Sequence, residues 1–368
     1  MNLLNSKLTI QVPGKLMIAG EFAVLEPFHK LAAMAVNRFV YIDINPSENK
    51  NISLEKFQLR DLKWFFKKDR VTIISEDNRV NFVQEAMTIA CVYLNENQIP
   101  IEDISIRVKS ELDDKTTGKK FGLGSSAAVS VGIITAMLQW HLKKTPSSEL
   151  VFKLASIAHV AAQGNGSGAD VAASSYGGVL QYSSFQADWL REEYQRSSTL
   201  MALLHKDWKF FSAKKIELPN NLYLCIGWTG SPASTGNLVE KILDLKDHNI
   251  EKYQKFLSDS EEAVSNFLTG IHQGDLQLLL KGIRQNRAAL VTVGKEAKTE
   301  LETPMIKKLC DRAEELGGAA KQSGAGGGDC GIAFMPTEES AENLIRAWRT
   351  EGIIPLELKP YQYGAKAL

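Results

Sequence analysis

The sequence predicts an α+β protein of two domains, on three observations. The chain has 368 residues, and domains of about 100–200 residues divide that length into about two. Short alternating stretches with hairpin signals are interleaved with longer helical patterns, not arranged as a strict strand–helix repeat, and this favours α+β over a doubly wound parallel sheet. Charged residues crowd between positions 186 and 215, among them Asp188, Glu192, Glu193, Lys206, Lys214 and Lys215; the crossing between domains is expected there. The first domain is expected to span residues 1–195 and the second 196–368.

The elements follow in order. Residues 7–12 alternate polar and apolar and predict a strand that stops at Pro13-Gly14. Residues 36–44 are rich in β-branched and aromatic residues and stop at Asn45-Pro46. Residues 55–70 mix charges with Trp64, Phe65 and Phe66 and suit an exposed hairpin or loop. Phe82, Ala86, Ile89, Ala90 and Tyr93 fall on one helical face, and residues 104–108 alternate again as a strand. From 121 to 142 there is no Asp, Glu, Lys or Arg, which is long enough for a membrane span. The segment opens on Gly122-Leu123-Gly124-Ser125-Ser126, contains Gly132 and Gln139 and ends in Trp140-His141. A buried central helix entered through a Gly-Ser loop suits it better. A second helix is expected over 148–160, capped by Ser147 or Ser148 ahead of Glu149. Past the crossing, 222–227 reads as a buried strand. Helical patterns occupy 238–242, 253–267, 276–290 and 305–316, and two short strands are expected near 331–335 and 355–358.

Composition excludes some classes of function. Lys+Arg and Asp+Glu are both 43, so the basic excess that phosphate-backbone binding needs is missing, as is a polybasic address for an anionic membrane. Cys91, Cys225, Cys310 and Cys330 form no C-x-x-C pair and do not cluster with His at zinc-ligand spacing. They read as reduced, buried thiols of a cytoplasmic protein. The first seven residues carry no apolar signal-peptide core.

Chemistry concentrates in four segments. In Pro13-Gly14-Lys15, followed by Gly20-Glu21-Phe22-Ala23-Val24, a strand delivers Lys15 after a Pro-Gly turn. A lysine so held can act as a point charge on phosphate; a surface lysine beside a turn would read the same way. In Lys119-Lys120-Phe121-Gly122-Leu123-Gly124-Ser125-Ser126-Ala127 the small residues let backbone N–H groups face an anion, and the helix that begins there adds its positive end. Ser125 and Ser126 add hydroxyls for phosphate or Mg²⁺. No Walker A pattern occurs. The loop also matches G-x-G-x-x-A of dinucleotide folds. That reading wants an acid ~20 positions on, where Leu142 stands and the next acid is Glu149. In the third segment, Lys321-Gln322-Ser323-Gly324-Ala325-Gly326-Gly327-Gly328-Asp329, so little side chain suits close approach of backbone to a ligand. The fourth is Ser167-Gly168-Ala169-Asp170. Asp170 is the only acid between Glu149 and Asp188, and it reads either as a helix N-cap or as a catalytic carboxylate facing Lys15.

Together, P-G-K…G-E-x-A-V, G-L-G-S-S-A-A and S-G-A-G-G-G-D resemble the GHMP kinases, small-molecule kinases without a Walker A loop, and their order and spacing span nearly the whole chain. Within that superfamily, residues 20–27, 35–38, 166–172 and 227–235 resemble members that act on phosphomevalonate. Mevalonate-phosphorylating members more usually show G-E-H-A, and this chain has Phe22 at the histidine. The resemblance implies a first domain like the second domain of ribosomal protein S5 and a ferredoxin-like second domain, with ATP and acceptor meeting between them. It implies Mg²⁺-assisted transfer of a phosphoryl group from ATP to (R)-5-phosphomevalonate. Other acceptors of the series, mevalonate and diphosphomevalonate, are the near alternatives, and a non-catalytic ligand sensor is the distant one.

The same resemblance implies roles. The amides of Gly122, Leu123, Gly124, Ser125, Ser126 and Ala127 would cradle the ATP phosphates, and Ser126 would reach Mg²⁺. Lys15 would bridge donor and acceptor phosphates, with Asp170 orienting it or taking a proton. Lys119 or Lys120 and Arg287 would hold the acceptor phosphate. Ser167, Ser231, Ser234 and Thr235 would meet the mevalonyl hydroxyl and carboxylate, and Ser323, Gly324 and Ala325 would close the third side. Two departures stand out. Gly118-Lys119-Lys120-Phe121 replaces a stretch that often carries proline. His159 stands eleven residues before Asp170, where related kinases carry a Mg²⁺-binding glutamate.

Overall fold

A computed structural model describes residues 7–114, 116–230 and 235–368, the side chains of 235–237 excepted. The first unit is built on β1 (Leu8–Ala19) and β2 (Lys30–Pro46), paired antiparallel along nearly their whole length. Pro13-Gly14 does not end β1, contrary to the sequence expectation. The register passes from Pro13↔Phe39 to Gly14↔Val36, so Asn37 and Arg38 of β2 bulge out and β1 runs on through Lys15 to Ala19. A bulge is one of the few places inside a sheet where proline, lacking an N–H, is tolerated.

Strands β3 (Asn51–Leu54), β4 (Leu59–Lys67) and β5 (Arg70–Ile73) extend the sheet, giving the expected hairpin region at 55–70 an ordered place in it. Next come α1 (Asn81–Glu96), β6 (Ile104–Ser110), α2 (Ser125–Leu142), α3 (Ser148–Gln163), α4 (Ala169–Tyr176) and β7 (Val179–Ser183). The long β2 pairs with β6 through its C-terminal half and with β7 through its N-terminal half. Helix α2 is buried over most of its length, as expected of the uncharged segment, and packs on β1 and β2. No helix among the described residues is long and apolar enough to cross a membrane. Ser147 caps α3 by accepting from the Leu150 amide.

The charged stretch after 186 folds as α5 (Ala187–Arg196), α6 (Leu200–His205) and β8 (Ser212–Ile216). β8 pairs with β7 and so belongs to the large sheet, beyond the expected boundary at 195. The second sheet then forms from β9 (Tyr223–Trp228), β10 (Ala319–Gln322), β11 (Cys330–Met335) and β12 (Ile354–Leu356), in the order β10-β11-β9-β12 and antiparallel throughout. With helices α7 (Thr235–His248), α8 (Ile250–Gln273), α9 (Leu276–Glu296) and α10 (Pro304–Glu315) between β9 and β10, and α11 (Glu338–Thr350) between β11 and β12, this is the split β-α-β-β-α-β arrangement of ferredoxin-like sheets. β10, α11 and β7 carried no separate signal in the sequence. The tail returns to the first sheet, where β13 (Lys366–Ala367) pairs with β1. Val264, Phe267, Leu280 and Ile283 of α8 and α9 share one core with the first sheet. All four cysteines are buried thiols.

Candidate active site

Past the bulge, β1 is stitched to the loop ahead of α2. The Lys15 amide donates to Leu123 O at 2.9 Å and its ammonium to Gly122 O at 3.0 Å. The loop is shaped by contact as well as by dihedral. A Cβ on Gly122 would lie 2.7 Å from the Asp329 carboxylate, and one on Gly124 would lie 2.8 Å from the Lys15 side chain; their φ values are 79° and 76°. Gly124 is the N-cap of α2 and brings no side chain to cap it. The first-turn amides, those of Ser125, Ser126 and Ala127, therefore have no acceptor within their own helix and offer a positive end to an anion.

Asp170 lies in the first turn of α4, but the N-cap is Gly168, at φ 72°. The helix-cap reading of Asp170 is thus incorrect. Its Oδ1 accepts from the Val171 amide at 2.9 Å, and the half-buried carboxylate faces the same cleft as Lys15. Burial, and after it the Asp170 carboxylate, holds the Tyr182 phenol well above its ordinary pKa. Tyr182 therefore stays protonated and donates to Ser167 O. Ser323 opens the third loop, its hydroxyl accepting from Met17 N and donating to Met17 O, both at 2.9 Å.

These parts line one cleft of about 860 Å³. Lys15, Lys120, Gly122, Leu123, Gly124, Ser125, Ser126, Ser167, Asp170, Ser323, Gly324 and Ala325 all face it. Ala127 is buried beneath them and does not line the cleft. Lys119 does not line the cleft; its ammonium donates to Gly230 O at 2.9 Å, tying the polar loop to the second unit. Ser231 and Ser234 lie outside the described residues, and Thr235 opens α7 with its side chain undescribed. Arg287 is elsewhere. Its guanidinium is held between Glu302, Asp311 and Glu314 at 2.6, 2.7 and 2.8 Å, so its place does not support the expected hold on an acceptor phosphate.

Two parts of the site escaped sequence reasoning. One is an apolar end lined by Leu54, Phe57, Phe82, Val83, Val108 and Leu112, with Asn78 and Arg79 at its edge. The Arg79 guanidinium lies 4.5 Å from the Phe57 ring centroid. The mixed charged and aromatic stretch that supplies Phe57 looked like plain surface, and no local pattern marks it. The other is the ion pair of Glu21 with Lys321, both buried. Burial pushes the Lys321 ammonium below its ordinary pKa, against the pull of the Glu21 carboxylate.

His159 stands where a carboxylate was sought. Its Nε2 is 3.4 Å from Ser126 Oγ and its ring 5.2 Å from that of Phe82. Among the described residues no group of three His, Cys, Asp or Glu could hold a metal ion. Hard-oxygen donors that line the cleft around the α2 end include Ser125, Ser126, Asp170 and Asp329, which suits a small divalent cation that takes most of its ligands from phosphate and water.

A lysine and an uncapped helix end facing one cleft between two α+β units, without a Walker A loop, define a phosphate-handling enzyme of the small-molecule kinase class. Sequence profiles make the class specific: the GHMP kinases N terminal domain matches residues 81–178 and the GHMP kinases C terminal domain matches 267–354. The chain belongs to the GHMP kinases. It is 32% identical over 365 residues to a phosphomevalonate kinase of Streptomyces sp. (strain CL190), covering 96% of each chain. Among solved structures it is similar to a Lin0012 protein from Listeria innocua, with TM-score 0.91, 34% identity and 99% of each chain covered. It is also similar to Streptococcus pneumoniae phosphomevalonate kinase in complex with phosphomevalonate and AMPPNP, with TM-score 0.83, 26% identity, and 96% of this chain and 99% of that one covered.

Proposed function

We propose that the protein transfers the γ-phosphoryl group of ATP to the phosphate of (R)-5-phosphomevalonate, releasing ADP and the 5-diphosphate. The observation that carries this is the meeting of Lys15 with the glycine-capped end of α2, the ammonium 3.0 Å from Gly122 O, inside one cleft that also holds Asp170. The full-length likeness to phosphomevalonate kinases supports the choice of acceptor.

An acceptor phosphate monoester has a second pKa near ~6 and is mostly a dianion at neutral pH. A strong general base is then less necessary than for an alcohol, and the harder task is to bring two polyanions together. The amides of residues 122–127 would receive the nucleotide phosphates, and the apolar end around Phe57 would take the base. Lys15 would lie between donor and acceptor and neutralise charge as it develops. Lys120 would draw the acceptor phosphate inward. Asp170 would orient Lys15 and the acceptor. Ser167, together with Ser231, Ser234 and Thr235, would hold the mevalonyl hydroxyl and carboxylate. Mg²⁺, held by Ser126 and the nucleotide phosphates, would supply further charge neutralisation when bound. Four buried thiols suit a cytoplasmic setting. A division of the units after β8, near residue 217, is the reading that the β7–β8 pairing supports.

A coupled ADP-release assay with mevalonate, phosphomevalonate and diphosphomevalonate tests the reading. Turnover is expected with phosphomevalonate. Turnover confined to another acceptor would reassign the substrate, and nucleotide binding without ADP release would favour a sensor.

A further inference from the structure

We propose that Glu21 and Lys321 are positioning residues: they lock the third glycine loop onto the strand that carries Lys15, and so set the far wall of the cleft for phosphoryl transfer. This rests on the functional reading above. The two side chains come from different units, 300 positions apart, and are 4% and 0% exposed. Glu21 Oε1 accepts from the Lys321 ammonium and also from the Gly324 amide, the latter at 3.1 Å. One residue earlier the Ser323 hydroxyl clasps both the N–H and the C=O of Met17. Lys15 and Met17 are two apart on β1, so they share a face, and both line the cleft. The strand of the phosphate-bridging lysine is thereby tied at successive points to the loop opposite.

The turn that aims Glu21 has no slack. Gly20 sits at φ 99°, and a Cβ there would come within 2.4 Å of Lys30 O. Gly324, the loop residue that Glu21 grips, is itself at φ 94°, a conformation that glycine leaves easily unless held.

A role in stability alone would be a poor use of this pair. Burying two charges carries a desolvation penalty, and apolar replacements of similar volume are often as stable or more so. The second oxygen, Glu21 Oε2, is buried and makes no hydrogen bond among the described residues. What the carboxylate adds that an apolar side chain lacks is the acceptor for the Gly324 amide.

The experiment compares two uncharged double variants of the full chain. Glu21→Gln with Lys321→Met keeps a carbonyl acceptor for Gly324; Glu21→Met with Lys321→Met does not. Thermal melting, hydrogen–deuterium exchange over residues 323–329, and kcat and KM for ATP and phosphomevalonate are measured on both. The Gln/Met protein should keep kcat within about fivefold of wild type. The Met/Met protein should melt close to it, exchange at least about tenfold faster in that loop, and lose about thirtyfold in kcat with the ATP KM within about twofold, the pattern of misplaced reacting groups. A folded Met/Met protein with wild-type kcat and wild-type exchange overturns the proposal, as does a Gln/Met protein that falls equally far. If Met/Met does not fold, Ser323→Ala, which touches no charge, carries the test: faster loop exchange with lower kcat supports the lock, and no change in either overturns it. Should the wild type release no ADP with phosphomevalonate, the functional reading fails, and the exchange measurements alone decide the lock.

Discussion

Lys15 owes its position to the bulge at Pro13/Gly14, which lets β1 continue and place the ammonium on Gly122 O. Its role follows from charge: two anions approach, and a cation between them lowers the repulsion most in the transition state. Lys15→Met should lower kcat by about a hundredfold or more, as removal of other phosphate-clamping charges does. Steady-state ADP release measures this, and a loss below about tenfold would contradict the bridging role. Residue-level legibility was uneven. Lys15 stood out because it follows a Pro-Gly turn at a strand, and Asp170 because it is the lone acid in a run of small residues. Arg287 misled because the carboxylates that engage it, Glu302 before α10 and Asp311 and Glu314 on it, lie well beyond it in sequence and meet it only in the folded chain. Glu21 and Lys321 were visible as letters in two motifs, but nothing local says that positions 300 apart are a pair.

At the scale of elements, the loop ahead of α2 works because its N-cap is a glycine pressed against Lys15. Two substitutions separate that contact from backbone strain. Gly317, after α10, also has positive φ, at 81°, but a Cβ there meets nothing within 4 Å. Gly124→Ala and Gly317→Ala should each lose about 1 kcal/mol of stability through the left-handed backbone. Only Gly124→Ala should raise the ATP KM, by about tenfold or more, because it distorts the anion-binding turn. Melting curves and ATP titrations check this, and equal KM values would show that the turn does not hold the nucleotide. Long elements with one clear period, such as α1, α3 and α9, were legible in the sequence. The segment from 55 to 70 was legible as a hairpin but not as part of the core, because its aromatic residues alternate between a core under Trp64 and a half-exposed face at Phe65. The charged stretch after 186 looked like a crossing because α5 is crowded with charges and only Leu190 of it is fully buried.

For the whole molecule, the decisive feature is that both units contribute walls to one cleft, the first through its sheet and the second through the loop after β10. Core residues of α8 and α9 merge with the first sheet, and the tail straps back onto it, with Tyr361 N–H on Ala35 O at 2.9 Å and β13 beside β1. Such long-range pairings leave no short-range signature, which is why the α+β class was legible and the return of the tail was not. The cleft brings the three glycine-rich segments within reach of one ligand pair, and the function proposed for it depends on that convergence. The most direct measurement is a crystal structure of the protein with a non-hydrolysable ATP analogue and phosphomevalonate. The account expects the nucleotide phosphates on the amides of residues 122–127 and the acceptor phosphate against the Lys15 ammonium; an acceptor bound outside this cleft, or a nucleotide whose phosphates leave the end of α2 untouched, would contradict it.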